Sequence, residues 1–310
     1  HETDRDMITS VYRGRIAPTP TGYLHLGHAR TFWFAQERAK AAGGTNILRN
    51  DDLDQNRCRE EYRDAMLEDL KWLGIEWSEG PDIGGDYMHY TQSERMQSYR
   101  ASFIQLLRSG CVYPCYCSRK DIRTAVAAPH LGEDELLYPG TCRPDTSEKH
   151  RFTSWEEFAA ADFTRNGRQP AWRFMAQPTA VEFTDLCTGP KSYLPGRDFG
   201  DFVVWRQDDT PAYQLACAMD DTLMNISEVV RGTDLLASTA RQLLLLEMLE
   251  MQKPDYFHCP LMCDEQGKRL AKRADSLSLR RMRQEGADPQ AWFAQWESEF
   301  GETLLKPTGK

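Results

Sequence analysis

One string of fourteen residues constrains this chain more than any other: Arg15-Ile16-Ala17-Pro18-Thr19-Pro20-Thr21-Gly22-Tyr23-Leu24-His25-Leu26-Gly27-His28. The stretch from Val11 to Ala17 before its turn reads as a buried strand that Pro18 ends. The segment from Leu24 to Ala42 reads as a helix stopped by Gly43-Gly44. A strand turning directly into a helix is how a parallel α/β sheet begins, and such sheets bind ligands beyond the carboxyl ends of their strands. The unbonded N–H groups and positive dipole end of that helix suit a phosphate. Gly27 lets the backbone approach closely. His25 and His28 stand three apart and share one helical face. Alone they would be ordinary surface histidines; the whole string gives them weight.

A second strand–helix unit follows. Thr45 to Arg49 reads as a strand running into Asp51, Asp52 and Asp54. A helix from about Arg57 to Leu73 carries Tyr62, Ala65, Met66, Leu70 and Leu73 at helical spacing, with Gly74 as its stop. From about Cys111 to Pro190, Cys, Pro, Thr and charge dominate, and only short helical signals appear, such as the capping box at Ser154-Trp155-Glu156-Glu157. This segment reads as an insertion. The α/β pattern resumes at Phe202-Val203-Val204-Trp205 and at Ile226 to Arg231, and a helix follows from about Leu235 to Met251. The remainder is helical and charged, its last helix opened by Asp288-Pro289. The expected division is 11–110, first half of the α/β domain; 111–190, insertion; 191–252, second half; and 253–310, a loop and helical end.

Composition narrows the function classes. A chain of 310 residues, 40% hydrophobic and 27% charged, is neither collagen-like nor disordered. No run approaches the ~18 apolar residues of a membrane helix. The polar, acidic first ten residues do not read as a signal peptide. With 38 basic and 47 acidic residues, the net charge of −9 argues against nonspecific coating of nucleic acid. A local patch is still allowed. Lys268, Arg269, Lys272, Arg273, Arg280, Arg281 and Arg283 form the best candidate for RNA contact, or a solvated helix face. Nine scattered cysteines, an odd number, fit a reduced cytoplasmic protein rather than a disulfide framework. Neither Gly-x-Gly-x-x-Gly nor Gly-x-x-x-x-Gly-Lys-Ser/Thr occurs, which leaves dehydrogenase and P-loop readings unsupported.

The long string, with its Arg-x-Ala-Pro-Thr-Pro-Thr-Gly and His-Leu-Gly-His, resembles the HIGH signature of class I aminoacyl-tRNA synthetases in its glutamate-specific form. Other parts match in order. Arg49-Asn50-Asp51-Asp52-Leu53-Asp54 resembles the family's Arg-Ile-Glu-Asp-x-Asp. Pro211 to Ala216 with Asp220-Asp221 resembles the amino-acid-pocket helix, and Val230 to Leu236 with Ser238-Thr239 the strand and helix after it. Gly267 to Arg273 resembles the KMSKS loop. The resemblance spans roughly 11–280. Only about forty residues follow that loop, so no helical anticodon-binding domain is expected. This shortness, Tyr138-Pro139-Gly140-Thr141-Cys142-Arg143 and Cys217 are more similar to the glutamyl-Q tRNA(Asp) synthetase branch.

The resemblance implies a Rossmann-type parallel sheet with a zinc-bearing insertion and a short helical C-terminal domain. It implies a monomer that activates L-glutamate with ATP and Mg²⁺ and transfers it to the queuosine base of tRNA(Asp). His25, Gly27, His28, Arg269 and Lys272 would meet ATP, with His25, His28 and Lys272 catalytic. Arg15, Ala17, Thr19, Asp51, Tyr213 and Arg231 would bind glutamate. Permanent guanidinium cations suit carboxylates. Departures are visible: Asp51 stands for Glu, Thr19 for Ser, Arg269 and Ala271 for Lys and Ser, and Cys217 for Asn. They keep two alternatives in view: an atypical glutamyl-tRNA synthetase charging a tRNA 3′ end, and a non-catalytic RNA- or zinc-binding paralogue.

Cys115-x-Cys117 and Cys142 can supply three thiolates to tetrahedral Zn²⁺; the plain alternative is three buried thiols. Imidazole chemistry favours His130 as the fourth ligand, whereas the resemblance implies Tyr138. Cys259 and Cys263 read as ordinary thiols.

Overall fold

The computed structural model describes residues 11–125, 136–147, 149–269 and 278–305. Along the chain run β1 (Arg13–Ile16), α1 (Leu26–Ala41), β2 (Thr45–Leu48), α2 (Glu60–Leu73), α3 (Met96–Ser109), β3 (Val112–Cys115), α4 (Arg119–Ala125) and α5 (Trp155–Ala160). There follow β4 (Ala171–Phe174), β5 (Val181–Asp185), β6 (Gly189–Tyr193), β7 (Phe202–Trp205), α6 (Tyr213–Leu223), β8 (Glu228–Gly232), α7 (Leu236–Met248), β9 (Asp255–Cys259), α8 (Leu279–Gln284) and α9 (Pro289–Leu305).

Two parallel pairs form the centre. β1 pairs with β2 across α1, and β8 pairs with β9 across α7. β1 and β8 meet in the middle: the Ser227 N–H donates to the Arg13 carbonyl at 2.8 Å, and the Arg13 N–H to Ser227 Oγ at 2.8 Å. Each pair therefore leads away from this junction, the place where an open α/β sheet forms its ligand crevice. Arg15 near the end of β1 and Arg231 near the end of β8 flank it.

Local rules place the helices. Gly74 closes α2 in the left-handed region at φ 77°, and the Ile75 N–H returns to the Leu70 carbonyl at 3.0 Å. Ser154 caps α5 by accepting the Glu157 N–H, while Glu157 accepts the Thr153 N–H. α9 starts at Pro289, as the Asp288-Pro289 pair predicts. It packs onto the first half of the chain, with Trp296 against Trp33, Trp292 against Trp72 and Phe300 against Phe34. The helical end thus shares the core of α1 and α2.

Two segments depart from the expected division. β7 does not continue the parallel sheet; it runs antiparallel to β4, which pairs with β3. A short continuous apolar run does not say which kind of sheet it joins. Conversely, the β5–β6 hairpin, at the end of the expected insertion, returns to the parallel sheet. The Leu186 N–H donates to the Tyr256 carbonyl at 2.8 Å, and the His258 N–H to Asp185 Oδ1 at 2.9 Å. Among the described residues, no helix is long and apolar enough to cross a membrane.

Candidate active site

The carboxyl end of β1 and the helix after it build one wall. His25 is the N-cap of α1, and its N–H donates to His28 Nδ1 at 3.0 Å. That bond makes Nδ1 an acceptor, so a neutral His28 ring carries its proton on Nε2. Both rings are half-buried. A Cβ added to Gly27 would meet only Met262, at 3.9 Å, so this turn presents an open face. Ala17 and Thr19 sit on the turn above β1, which the Asp51 N–H ties down by donating to the Pro18 carbonyl at 3.1 Å.

Beneath lies a cluster of buried charges. Arg15 donates to both Asp221 oxygens, at 2.9 and 3.3 Å. Arg49 donates to both Asp51 oxygens, at 2.7 and 3.2 Å, and to Asp221 at 2.8 Å. Burial alone would raise the Asp221 carboxyl, but Arg15 and Arg49 outweigh it and hold it well below the usual carboxylate range. Burial pushes Asp51 up to about 6, against the pull of Arg49, and the Asp220 charge adds to the rise. Asp220 itself accepts from Arg95 at 2.7 Å, Tyr99 at 2.6 Å and Gln92 at 3.0 Å.

Arg231 is different. It donates to Thr239 Oγ1 at 2.7 Å, Gln242 Oε1 at 3.1 Å, Tyr213 Oη at 3.3 Å and His258 Nε2 at 3.3 Å. Among the described residues no carboxylate lies within ion-pair distance of it. The Cys217 thiol stands 3.7–3.8 Å from Arg231, Arg15 and Arg49 alike, on the floor between the three cations. Burial and Asp221 raise that thiol, so it stays neutral at the centre of the cluster. Tyr213 is 43% exposed, so its ring forms an open side of the crevice while its hydroxyl points to Arg231.

Arg15, Asp51, Tyr213 and Arg231 are thus gathered in or around one crevice, with Ala17 and Thr19 on the turn beside it. Lys272, with Ala271 and Arg273, lies outside the described residues, as does His130. Arg269 donates to Asp234 at 2.9 Å, which ties the start of the KMSKS-like loop to the residues after β8. The candidate RNA run is partly committed within the chain. Arg283 pairs with Asp69 and Glu68, Arg281 with Glu285, and Arg280 stacks on Tyr23. Arg49, Asp221, Asp185 and His258 carry no role in the sequence reading. The signal for Asp221 was an acidic pair on an otherwise apolar helix; a buried charge requires a partner.

The cysteine cluster is separate. Cys115, Cys117 and Cys142 place their Sγ atoms within 4.8 Å of one another. Tyr138 Oη lies 3.4 Å from Cys115 Sγ and 3.8 Å from Cys117 Sγ, and Cys117 Sγ is 3.6 Å from Cys142 Sγ. With Zn–S near 2.3 Å, a tetrahedral site has S···S edges of about 3.8 Å. The donor set therefore fits Zn²⁺. Cys259 is buried and Cys263 exposed, as ordinary thiols would be.

Comparison with known proteins agrees with this architecture. Residues 11–297 match the family described as tRNA synthetases class I (E and Q), catalytic domain. The glutamyl-Q tRNA(Asp) synthetase of Nitratidesulfovibrio vulgaris is 45% identical over 274 residues, which is 88% of this chain and 82% of that protein. The glutamyl-Q tRNA(Asp) synthetase of Symbiobacterium thermophilum is 44% identical over 278 residues, 89% and 83% of the two chains. The glutamate–tRNA ligase 2 of Acidithiobacillus ferrooxidans is 42% identical, and this chain spans 55% of its length. The glutamate tRNA ligase of Elizabethkingia meningosepticum, solved in complex with its amino acid, superposes with a TM-score of 0.75 at 26% identity, covering 96% of this chain and 65% of that one. The chain belongs to the class I tRNA synthetases of the E and Q group, through their catalytic domain.

Proposed function

We propose that this protein activates L-glutamate with ATP and Mg²⁺ and transfers it to the queuosine base of tRNA(Asp). The observation that carries the reading is Arg231, a buried cation whose described partners are all neutral, set with Arg15 and Asp51 near the carboxyl ends of the parallel strands and the start of the HIGH-like helix. A substrate with two carboxylates and an ammonium fits such a site. Arg231 and Tyr213 would take one carboxylate, Arg15 would steer the other, and Asp51 would meet the ammonium. The α-carboxylate oxygen attacks the α-phosphorus of ATP in line, and the bond to pyrophosphate breaks. The modified base then displaces AMP from the glutamyl carbonyl. No side-chain nucleophile is needed; positioning and charge stabilisation supply the catalysis. His25, His28 and the first turn of α1 would hold phosphates, with Arg269 and Lys272 closing from the KMSKS-like loop. Cys115, Cys117, Tyr138 and Cys142 would hold a structural Zn²⁺ that fixes the loops around β3. We place the enzyme in the cytoplasm as a monomer, a setting that its nine free cysteines suit.

The deciding assay incubates the protein with ATP and labelled glutamate. The acceptors are tRNA(Asp) with queuosine, tRNA(Asp) without it, and tRNA(Glu). Label is expected on the queuosine-containing tRNA alone, and it should survive removal of the 3′-terminal adenosine from that tRNA before the reaction. Label on tRNA(Glu) would convert the reading to an atypical glutamyl-tRNA synthetase. A protein that also lacks glutamate-dependent pyrophosphate exchange would be a non-catalytic paralogue.

Asp51 gives the site a pH signature. Its ionised form is the one that attracts an ammonium, and burial pushes its carboxyl up to about 6. Glutamate KM at saturating ATP should therefore rise as pH falls through about 6, by roughly tenfold per pH unit below it. A KM that stays flat down to pH 5 would remove Asp51 from the ammonium site.

A further inference from the structure

We propose that Asp185 and His258 are positioning residues that hold Arg231 through a neutral lone pair, so that its charge stays available to the substrate carboxylate. The inference rests on Arg231 being the glutamate-binding cation. Neither residue stands near Arg231 in sequence. His258 is its register partner across the β8–β9 ladder, and Asp185 arrives from the hairpin that folds back beside β9.

The bonds run in one direction. Asp185 Oδ1 accepts the His258 backbone N–H at 2.9 Å and faces the ring Nδ1 at 2.7 Å. Asp185 Oδ2 accepts from the Thr188 N–H at 2.7 Å, the Thr188 hydroxyl at 2.8 Å and the Cys187 N–H at 3.2 Å. A carboxylate that receives so many donors is ionised and has only acceptors to offer, so Nδ1 carries the proton. The other nitrogen, Nε2, then presents a lone pair. It faces Arg231 Nε at 3.3 Å and Thr239 Oγ1 at 2.9 Å. Both side chains are fully buried, and burial disfavours a second proton on the ring.

The contrast with the neighbouring cations shows what this achieves. Arg15 and Arg49 are each neutralised by carboxylates in direct contact. Arg231 is gripped just as firmly, yet Asp185, the carboxylate behind its support, stands one imidazole ring away. A carboxylate placed directly against Arg231 would compete with the substrate. The relay fixes the guanidinium plane without that competition, in the way a carboxylate orients a metal-binding histidine from behind.

The test separates the acceptor from the bulk of the ring. His258→Gln places a carbonyl oxygen near the position of Nε2. His258→Asn keeps a donor toward Asp185 but has nothing to offer Arg231. Asp185→Asn removes the charge that sets the tautomer. Glutamate-dependent ATP–pyrophosphate exchange, with KM for glutamate and for ATP, reads all three. His258→Asn and Asp185→Asn should raise glutamate KM about tenfold or more and leave ATP KM within about twofold; His258→Gln should stay within about threefold of the parent. Equal movement of both KM values, or an unmoved glutamate KM, overturns the proposal. A second measurement needs no variant: in the ¹⁵N spectrum of the histidine-labelled protein at neutral pH, His258 should show a protonated Nδ1 and a bare Nε2. A protonated Nε2 overturns it. If Arg231→Leu leaves glutamate KM unchanged, the assignment of Arg231 fails; if that variant collapses while His258→Asn and Asp185→Asn do not, the relay alone fails.

Discussion

Replacing Arg231 by leucine should abolish glutamate-dependent ATP–pyrophosphate exchange and weaken glutamate binding by two to four orders of magnitude. Two hydrogen bonds from a guanidinium to a carboxylate contribute about 1.5–3 kcal/mol each in a buried site. Losing both removes about 3–6 kcal/mol, which converts to roughly 10²–10⁴ in affinity. Arg231→Lys keeps the charge but loses the fork, and should fall between. ATP binding should change little, because the turn of α1 proposed to meet the phosphates is built by other residues. Leucine also leaves Thr239, Gln242 and His258 with fewer partners, so some loss of stability is expected, of about 1–3 kcal/mol. Circular dichroism and a thermal melt separate that loss from the loss of binding. A folded Arg231→Leu protein that still saturates with glutamate at the parental concentration would mean that the substrate carboxylate sits elsewhere, with Arg15 the next candidate.

The parts legible in the sequence were those governed by near neighbours. The HIGH-like string, the αL stop at Gly74, the Ser154 N-cap and the Asp288-Pro289 start all depend on residues within a few positions, and the structure has each of them; of the capping box only the Ser154 half forms, since Glu157 turns to Thr153 instead of the Ser154 N–H. What escaped depends on contacts between distant segments. The antiparallel placement of β7 follows from β3 and β4, whose short strands carry no distinctive period. The partnership of Asp185 with His258 spans 73 positions and arises only because the β5–β6 hairpin lies against β9. The basic run after Lys268 illustrates the same limit from the other side. A count of charges presents it as a patch, but Arg283 finds Asp69 on α2, where sequence separation hides the pair. The family's motif covers the cations of the crevice, yet only the geometry distinguishes Arg231 from Arg15 and Arg49: among the described residues two have carboxylate partners and one does not.

Withdrawal of zinc should produce the other large effect, and on stability before chemistry. Purified under zinc-replete conditions, the chain should carry one Zn²⁺ per molecule. Cys115→Ser should lose nearly all of it, because three donors to a tetrahedral ion bind far more weakly than four. The energetic reason is local. Cys115 ends β3, Cys117 lies two residues on, and Cys142 and Tyr138 belong to a stretch with few regular backbone bonds. Tyr113, Cys115, Tyr138 and Met175 form only a small apolar cluster beneath them. Such a segment is expected to draw much of its order from the ion. If zinc contributes about 5 kcal/mol here, well under the 10–16 kcal/mol of isolated zinc-finger peptides, its removal lowers Tm by roughly 10 °C. The lost order should also be visible as new tryptic cleavage at Arg119, Lys120 or Arg123, which lie on exposed positions of α4. Glutamate-dependent pyrophosphate exchange should survive better than transfer to tRNA, since the thiol cluster stands apart from Arg231 and its partners. A Cys115→Ser protein with full zinc content would dismiss the site. So would a chelator-treated parent whose melting and tryptic pattern do not move, since a metal that supports no structure would contradict the role assigned to these four donors.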